Sequence, residues 1–125
     1  MGIRVELSLR LPNSPGAAGA VCRLLANERI NILAMTLDAG GHLYLLVDNH
    51  LRAASILRDN HRTVTERPVL YVPVASGPGG LAPVLKMLAD AEVNVNYAYG
   101  ADARSGSVVV IGVDDAQRAA AATGL

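Results

Sequence analysis

Residues 13 to 32 of this chain are written a second time 63 residues later. Asn13-Ser14-Pro15-Gly16-Ala17 lines up with Ser76-Gly77-Pro78-Gly79-Gly80, and Val21, Leu25, Ala26 and Asn31 return as Val84, Leu88, Ala89 and Asn94. Ile30 and Ile32 recur as Val93 and Val95. After three further residues are inserted, Val47-Asp48 and Arg52-Ala53-Ala54 come back as Val113-Asp114 and Arg118-Ala119-Ala120. Solenoids and propellers repeat every ~20–50 residues, so the longer period here reads as a duplicated small domain. Each copy alone is marginal, because a domain of about 60 residues buries too little surface. Function is therefore to be sought in what two copies do together.

The element order follows from local periodicity. Ile3 to Leu11 alternates, with Val5, Leu7, Leu9 and Leu11 on one face and Arg4, Glu6, Ser8 and Arg10 on the other, which is a half-buried strand. Asn13 or Ser14 then caps a helix with Pro15 in its first turn. Ala18, Val21, Cys22 and Leu25 form one apolar stripe, and Leu81, Val84, Leu85 and Leu88 fill the same slots in the second copy. Ile30–Leu37 and His42–Val47 read as a hairpin around Ala39-Gly40-Gly41. Asp48 or Asn49 caps a second helix ending near Asn60, and Thr63–Glu66 supplies a fourth strand.

The order β-α-β-β-α-β is that of ferredoxin-like folds. The fold expected is α+β, two ferredoxin-like βαββαβ units in tandem, unit 1 over residues 1–68 and unit 2 over residues 69–125. The second unit gives strands at Val69–Ala75, Val93–Tyr99 and Ser107–Val113, with helices at Pro78–Glu92 and Asp114–Gly124, and lacks its last strand. That makes Val69–Ala75 an edge, which Pro73 suits, unless another chain covers it.

Composition narrows the function classes. Lys plus Arg and Asp plus Glu each number 11, so nothing steers the chain toward nucleic acid or an anionic membrane. The single cysteine, Cys22, excludes an internal disulfide framework and falls in a core stripe. The longest uncharged run, Pro68 to Leu85, is broken by prolines and glycines, so a soluble cytoplasmic protein is expected. His42–Val47 is apolar on both faces, and Leu33, Met35 and Leu37 thicken the face opposite Ile32 and Ala34. One layer of helices covers one face only. The other therefore packs on a partner sheet, in a homo-oligomer such as a dimer or in a tight tandem within one chain.

The loops ahead of the first helix of each copy are the chemically informative segments. Gly16 and Gly79 permit positive φ or close approach of a ligand, and the N–H groups of the first helical turn suit a carboxylate. A plain capping turn is the better explanation of a single Pro-Gly; two at matched positions bring a binding site close to level with it. Gly77-x-Gly79-x-x-Ala82 with Asp102 downstream imitates a dinucleotide fingerprint, but the unit is too short for a doubly wound sheet. His42, His50 and His61 share no metal spacing, Asp114-Asp115 sits where a helix cap belongs, and no nucleophile–base order emerges. No enzymatic activity, metal or cofactor is implied.

Asn13-x-Pro15-Gly16, Leu24-Leu25-Ala26 and Ile30-Asn31-Ile32, with Ser76-x-Pro78-Gly79-Gly80-Leu81, Leu88-Ala89 and Val93-Asn94-Val95, resemble the ACT domain family. The resemblance covers nearly the whole chain. It implies a regulatory module binding a small ligand, usually an amino acid, where the loop of one unit faces the second strand of its neighbour. Carried over by position, the loop residues are Asn13, Gly16 and Ala17, with Ser76, Gly79 and Gly80; the strand residues are Asn31 and Ile32, with Asn94 and Val95. The family often opens this loop with an acidic residue, where Asn13 and Ser76 stand here. Asn31 and Asn94 serve equally as turn residues between helix and strand. The competing reading is a ligand-free assembly module docking on a partner enzyme. RNA binding, the third reading, needs aromatic platforms on the central strands and positive charge, whereas the first unit's opening strand has no aromatic, its third has only Tyr44, and the net charge is zero.

Overall fold

The structure, a computed structural model, describes residues 2–60, 62–101 and 106–124; His61 and Asp102 lie outside them. Its elements in chain order are β1 (Gly2–Arg10), α1 (Ala17–Asn27), β2 (Ile32–Leu37), β3 (His42–Val47), α2 (His50–Asp59), β4 (Thr65–Val74), α3 (Ala82–Asp90), β5 (Tyr97–Ala101), β6 (Ser107–Gly112) and α4 (Ala116–Thr123). They fall into two compact units, one of Val5–Arg67 and one of Met1–Arg4 with Pro68–Leu125.

In the unit Val5–Arg67 the strand order is β2-β3-β1-β4, the last strand contributing its opening residues. Leu7 and Leu9 of β1 stand opposite Leu45 and Leu43 of β3, and all four join Val21, Leu25, Ala53, Ala54 and Leu57 of the two helices in one core. In the unit containing Pro68–Leu125 the order is β1-β4-β6-β5. Its core takes Leu70 and Val72 from β4, Val84 and Leu88 from α3, Val109 and Ile111 from β6, and Ala116 and Ala119 from α4. No described strand follows α4.

Strand β4 is not the edge strand that its sequence suggests. It has β6 on one side and β1 on the other. An open row of N–H and C=O groups is a liability that pairing removes, and residues from the start of the same chain supply it. Arg4 also lays its guanidinium over the ring of Tyr71, 4.5 Å from the centroid.

The duplication extends to backbone detail. Gly16 and Gly79 both have positive φ, 84° and 82°. Arg29 and Glu92, also 63 residues apart, are the only described non-glycine residues with positive φ, 58° and 59°. Each closes a Schellman motif: Arg29 N–H donates to Ala26 O and Ile30 N–H to Leu25 O, while Glu92 N–H donates to Ala89 O and Val93 N–H to Leu88 O. The later helices start alike too, with Asn49 Oδ1 accepting from Arg52 N–H at 3.1 Å and Asp115 Oδ1 from Arg118 N–H at 3.0 Å.

Other expectations are corrected. Neither Asn13 nor Ser14 caps α1; Gly16 occupies the cap position without a side-chain bond. Helix α3 begins at Ala82 rather than Pro78, with Leu81 at its cap and Pro83 in the first turn. Leu81 therefore lies outside the stripe, and Leu85, one helical step of about 100° from Val84, sits on its flank; both are exposed. Strand β5 starts at Tyr97, four residues later than its apolar run suggests.

The thick apolar face opposite the helices is also revised. Met35 and Leu37 stand opposite Leu45 and Leu43, so they share the helix-side face; the register shifts between Ile32 and Ala34. An irregularity of this kind re-aims the side chains that follow it. Leu33, Met35 and Leu37 are 38%, 41% and 44% exposed. The opposite face carries Ser8, Arg10, His42 and Tyr44, with Glu6 and Leu46 fully buried further along.

Candidate functional site

In the unit Val5–Arg67 the loop between β1 and α1 is held by the hairpin turn. Leu11 N–H donates to Gly41 O at 2.7 Å, and a Cβ at Gly41 would collide with the carbonyl of Leu11. Gly41 has φ of 82°, so glycine is required twice over, by backbone conformation and by close approach. Within the loop Ser14 N–H donates to Pro12 O and Ala17 N–H to Ser14 O, and Gly16 turns the chain into the helix. Ala18 and Gly19 follow in the first turn, where N–H groups have no intrahelical acceptor.

Leu11 to Ser14 and Gly16 to Gly19, with Leu37, Asp38 and Gly41, line a pocket of about 230 Å³. It brings Asn13, Gly16 and Ala17 together, three of the residues that sequence reasoning selected. It adds Asp38, which sequence reasoning missed. Asp38 Oδ1 accepts the backbone N–H of His42 at 3.1 Å, and the carboxylate lies 3.1 and 3.2 Å from His42 Nδ1. The His42 backbone N–H, ahead of the imidazole, holds this carboxyl below the usual aspartate range. A carboxylate is thus present beside the loop although Asn13 opens it. Its signal was faint: an acid just before Gly-Gly in a tight turn.

Asn31 and Ile32 lie at the other end of β2 and do not line this pocket. Asn31 N–H donates to Asp48 Oδ1 and Asp48 N–H to Asn31 O, both at 3.1 Å, a clasp joining strand to helix cap. That is the turn role. Ile32 packs on the core.

In the other unit, the matching clasp moves two residues along. Asn96, not Asn94, donates its side-chain N–H to Asp114 Oδ1 at 2.8 Å; the Asn94 side-chain N–H donates to Asn96 Oδ1 at 3.4 Å, and Val95 packs on the core. The loop here borders a larger pocket of about 450 Å³, lined by Val74, Ala75, Gly77, Leu81, Ala98 to Gly100 and Ser107 to Val109. Ser76, Gly79 and Gly80 are not in its wall. Ser76 is linked to it through Ser107, their hydroxyl oxygens 3.0 Å apart. Ser107, 6% exposed, and Tyr99 are the hydroxyl-bearing residues of a mainly apolar wall. The signals overlooked were the small residues of Tyr97-Ala98-Tyr99-Gly100 and the lone serine opening the β6 run.

No metal-ligating cluster occurs among the described residues, and none of their helices is long and apolar enough to cross a membrane.

No family model matches the chain, and no curated protein does. Solved structures do. Protein BT0572 from Bacteroides thetaiotaomicron superposes with a TM-score of 0.88 at 29% identity, covering 96% of this chain and 85% of that one. The regulatory subunit of aspartate kinase from Thermus thermophilus, in its ligand-free form, gives 0.67 at 18% identity, covering 98% and 92%. The aspartokinase alpha and beta subunit structure gives 0.64 at 13% identity, covering 100% and 99%. The fold of this chain is that of tandem ACT domains.

Proposed function

We propose that this protein is a non-catalytic regulatory protein that binds a small molecule, an amino acid in the simplest case, at the loop between β1 and α1. The observation that carries the reading is the composition of the 230 Å³ pocket. A zwitterion presents one anion and one cation. The N–H groups opening α1 suit the first, and Asp38, kept ionised by its hydrogen bonds, suits the second. Asn13 supplies an amide able to donate and accept, and the pocket is smaller than the ~300–1,000 Å³ of drug-sized sites. The likeness to aspartate kinase regulatory subunits supports a regulatory rather than chemical role. The ligand acts by favouring one arrangement of the protein over another.

Thermal shift and calorimetry against the twenty amino acids test this. At a free concentration of 100 times Kd the responding ligand stabilises the fold by about 2.7 kcal/mol. Asp38→Asn removes the charge on the ammonium side and weakens that response about tenfold or more. A flat panel for the native chain would sink the reading.

A second reading, assembly without a ligand, draws on the exposed row Leu33, Met35 and Leu37 along β2. It predicts a stable homo-oligomer that Met35→Glu dissociates, with no amino-acid response.

A further inference from the structure

A second cavity, in the unit Val5–Arg67, shares no residue with the loop pocket. It has a volume of about 480 Å³ and is lined by Ser8, Leu9, Arg10, His42, Tyr44, Arg62, Thr63 and Thr65. Leu7, Leu9, Leu43 and Leu45 commit one face of β1 and β3 to the core. Their alternates, Ser8 opposite Tyr44 and Arg10 opposite His42, therefore stand together on the other face. Arg62 and Thr63, between α2 and β4, and Thr65 at the start of β4 close the wall.

The charge of this wall has one sign. No carboxylate lines it. Arg10 spends Nε on the carbonyl of Gly40 at 2.9 Å, and among the described residues its terminal nitrogens pair with no carboxylate. Arg62 is half-buried, yet among the described residues its side chain pairs with no carboxylate. The nearby acids are already engaged: Glu66 faces Arg58 at 3.3 Å, Asp38 faces His42 Nδ1, and Glu6, fully buried further along the same face, has an interaction of its own. With Nδ1 so occupied, Nε2 is the imidazole nitrogen left for a guest. A partly desolvated guanidinium without a counter-ion is costly, and its fork matches an oxyanion in two parallel bonds.

We propose that this cavity binds a small phosphate ester, a second ligand distinct from the amino acid of the loop pocket. Two guanidinium groups and the hydroxyls of Ser8, Thr63 and Thr65 offer more donors than the two oxygens of a carboxylate can use. A phosphomonoester, dianionic with three terminal oxygens, uses them. The remaining volume and the polar rim around Tyr44 take a hydroxylated body.

Calorimetry on the full chain at constant ionic strength tests this, with glycerol 3-phosphate and inorganic phosphate as probes and succinate as the carboxylate control. Glycerol 3-phosphate is expected to bind, inorganic phosphate to compete with it more weakly, and succinate to bind at least about tenfold less tightly. Arg62→Gln reduces phosphoester binding about tenfold or more, and Arg62→Lys, which keeps the charge and loses the fork, falls between. The thermal midpoint of each variant in chloride alone reports its folding. Should Arg62→Gln not fold, the Arg62→Lys result and the probe ranking decide. Absence of phosphoester binding to the native chain, binding indifferent to both variants, or succinate equal to the phosphoester each overturns the proposal. A flat amino-acid panel leaves it standing, because the two cavities have no residue in common.

Discussion

The loop preceding α1 and the loop preceding α3 descend from one pattern and enclose different spaces. Both turn at a glycine of positive φ and both lead into a helix with the same buried stripe. Around α1 the loop closes on a hairpin turn and captures a carboxylate, leaving a small polar pocket. Around α3 it lies against β5 and β6, where alanine, glycine and valine leave a wider apolar pocket with a serine in its wall. The same scaffold thus leaves a pocket bordered by a carboxylate in one copy and a mainly apolar pocket in the other. What differs is how far the loop runs before its helix starts, to Gly16 in one and Leu81 in the other, and the neighbours that the sheet brings to it.

The sharpest way to break this equivalence is through the cores. Leu25 and Leu88 are fully buried at matched positions, so Leu25→Ala and Leu88→Ala should each cost about 2–5 kcal/mol in urea unfolding. A small loss at one position and a large loss at the other would mean that the copies no longer pack alike. The glycine pair comes next. Nothing crowds a Cβ at Gly16 or Gly79, so Gly16→Ala and Gly79→Ala isolate the backbone term of about 1–2 kcal/mol. Denaturant midpoints falling by similar amounts would show that the two loops turn alike at these glycines, although α1 starts directly after Gly16 and α3 only at Ala82.

The smallest effect belongs to one copy alone. The carboxyl of Asp38 is held below its unfolded value of about 3.9 by the His42 backbone N–H. A depressed folded pKa contributes stability that is complete above that unfolded value and is lost as pH falls through the folded pKa. The group is solvent-exposed, so the contribution is slight. An NMR titration of the Asp38 carboxyl should show a midpoint below the ordinary aspartate value, and Asp38→Asn should remove its share of the acid limb. A midpoint at or above the ordinary value would remove the carboxylate from the loop pocket's account.

Much of the architecture was legible because it is local. The stripes through Leu25 and Leu88 stand where periodicity puts them, and the structure chooses Asn49 over Asp48 and Asp115 over Asp114 from the capping pairs that the sequence left open. The start of α1 misled, because a glycine of positive φ satisfies the turn without the side-chain cap that Asn13 or Ser14 could have supplied. The start of β5 misled because Val93 and Val95, part of an apolar run, pack on the core before pairing begins. In the candidate site, Asn13, Gly16 and Ala17 could be found from their own loop. Asp38 could not, since it meets that loop only through a hairpin distant from it in sequence.

Two helical stripes, alternating strands and repeated turn glycines are written in neighbouring residues, where propensity and side-chain period act directly, so the doubled ferredoxin-like fold belongs to the sequence alone. Which strand flanks β4, which face Met35 and Leu37 join, and which charged groups share a cavity were decided by strand order and register. Those depend on pairings between distant residues. A shift of one position in any of them redirects every side chain that follows.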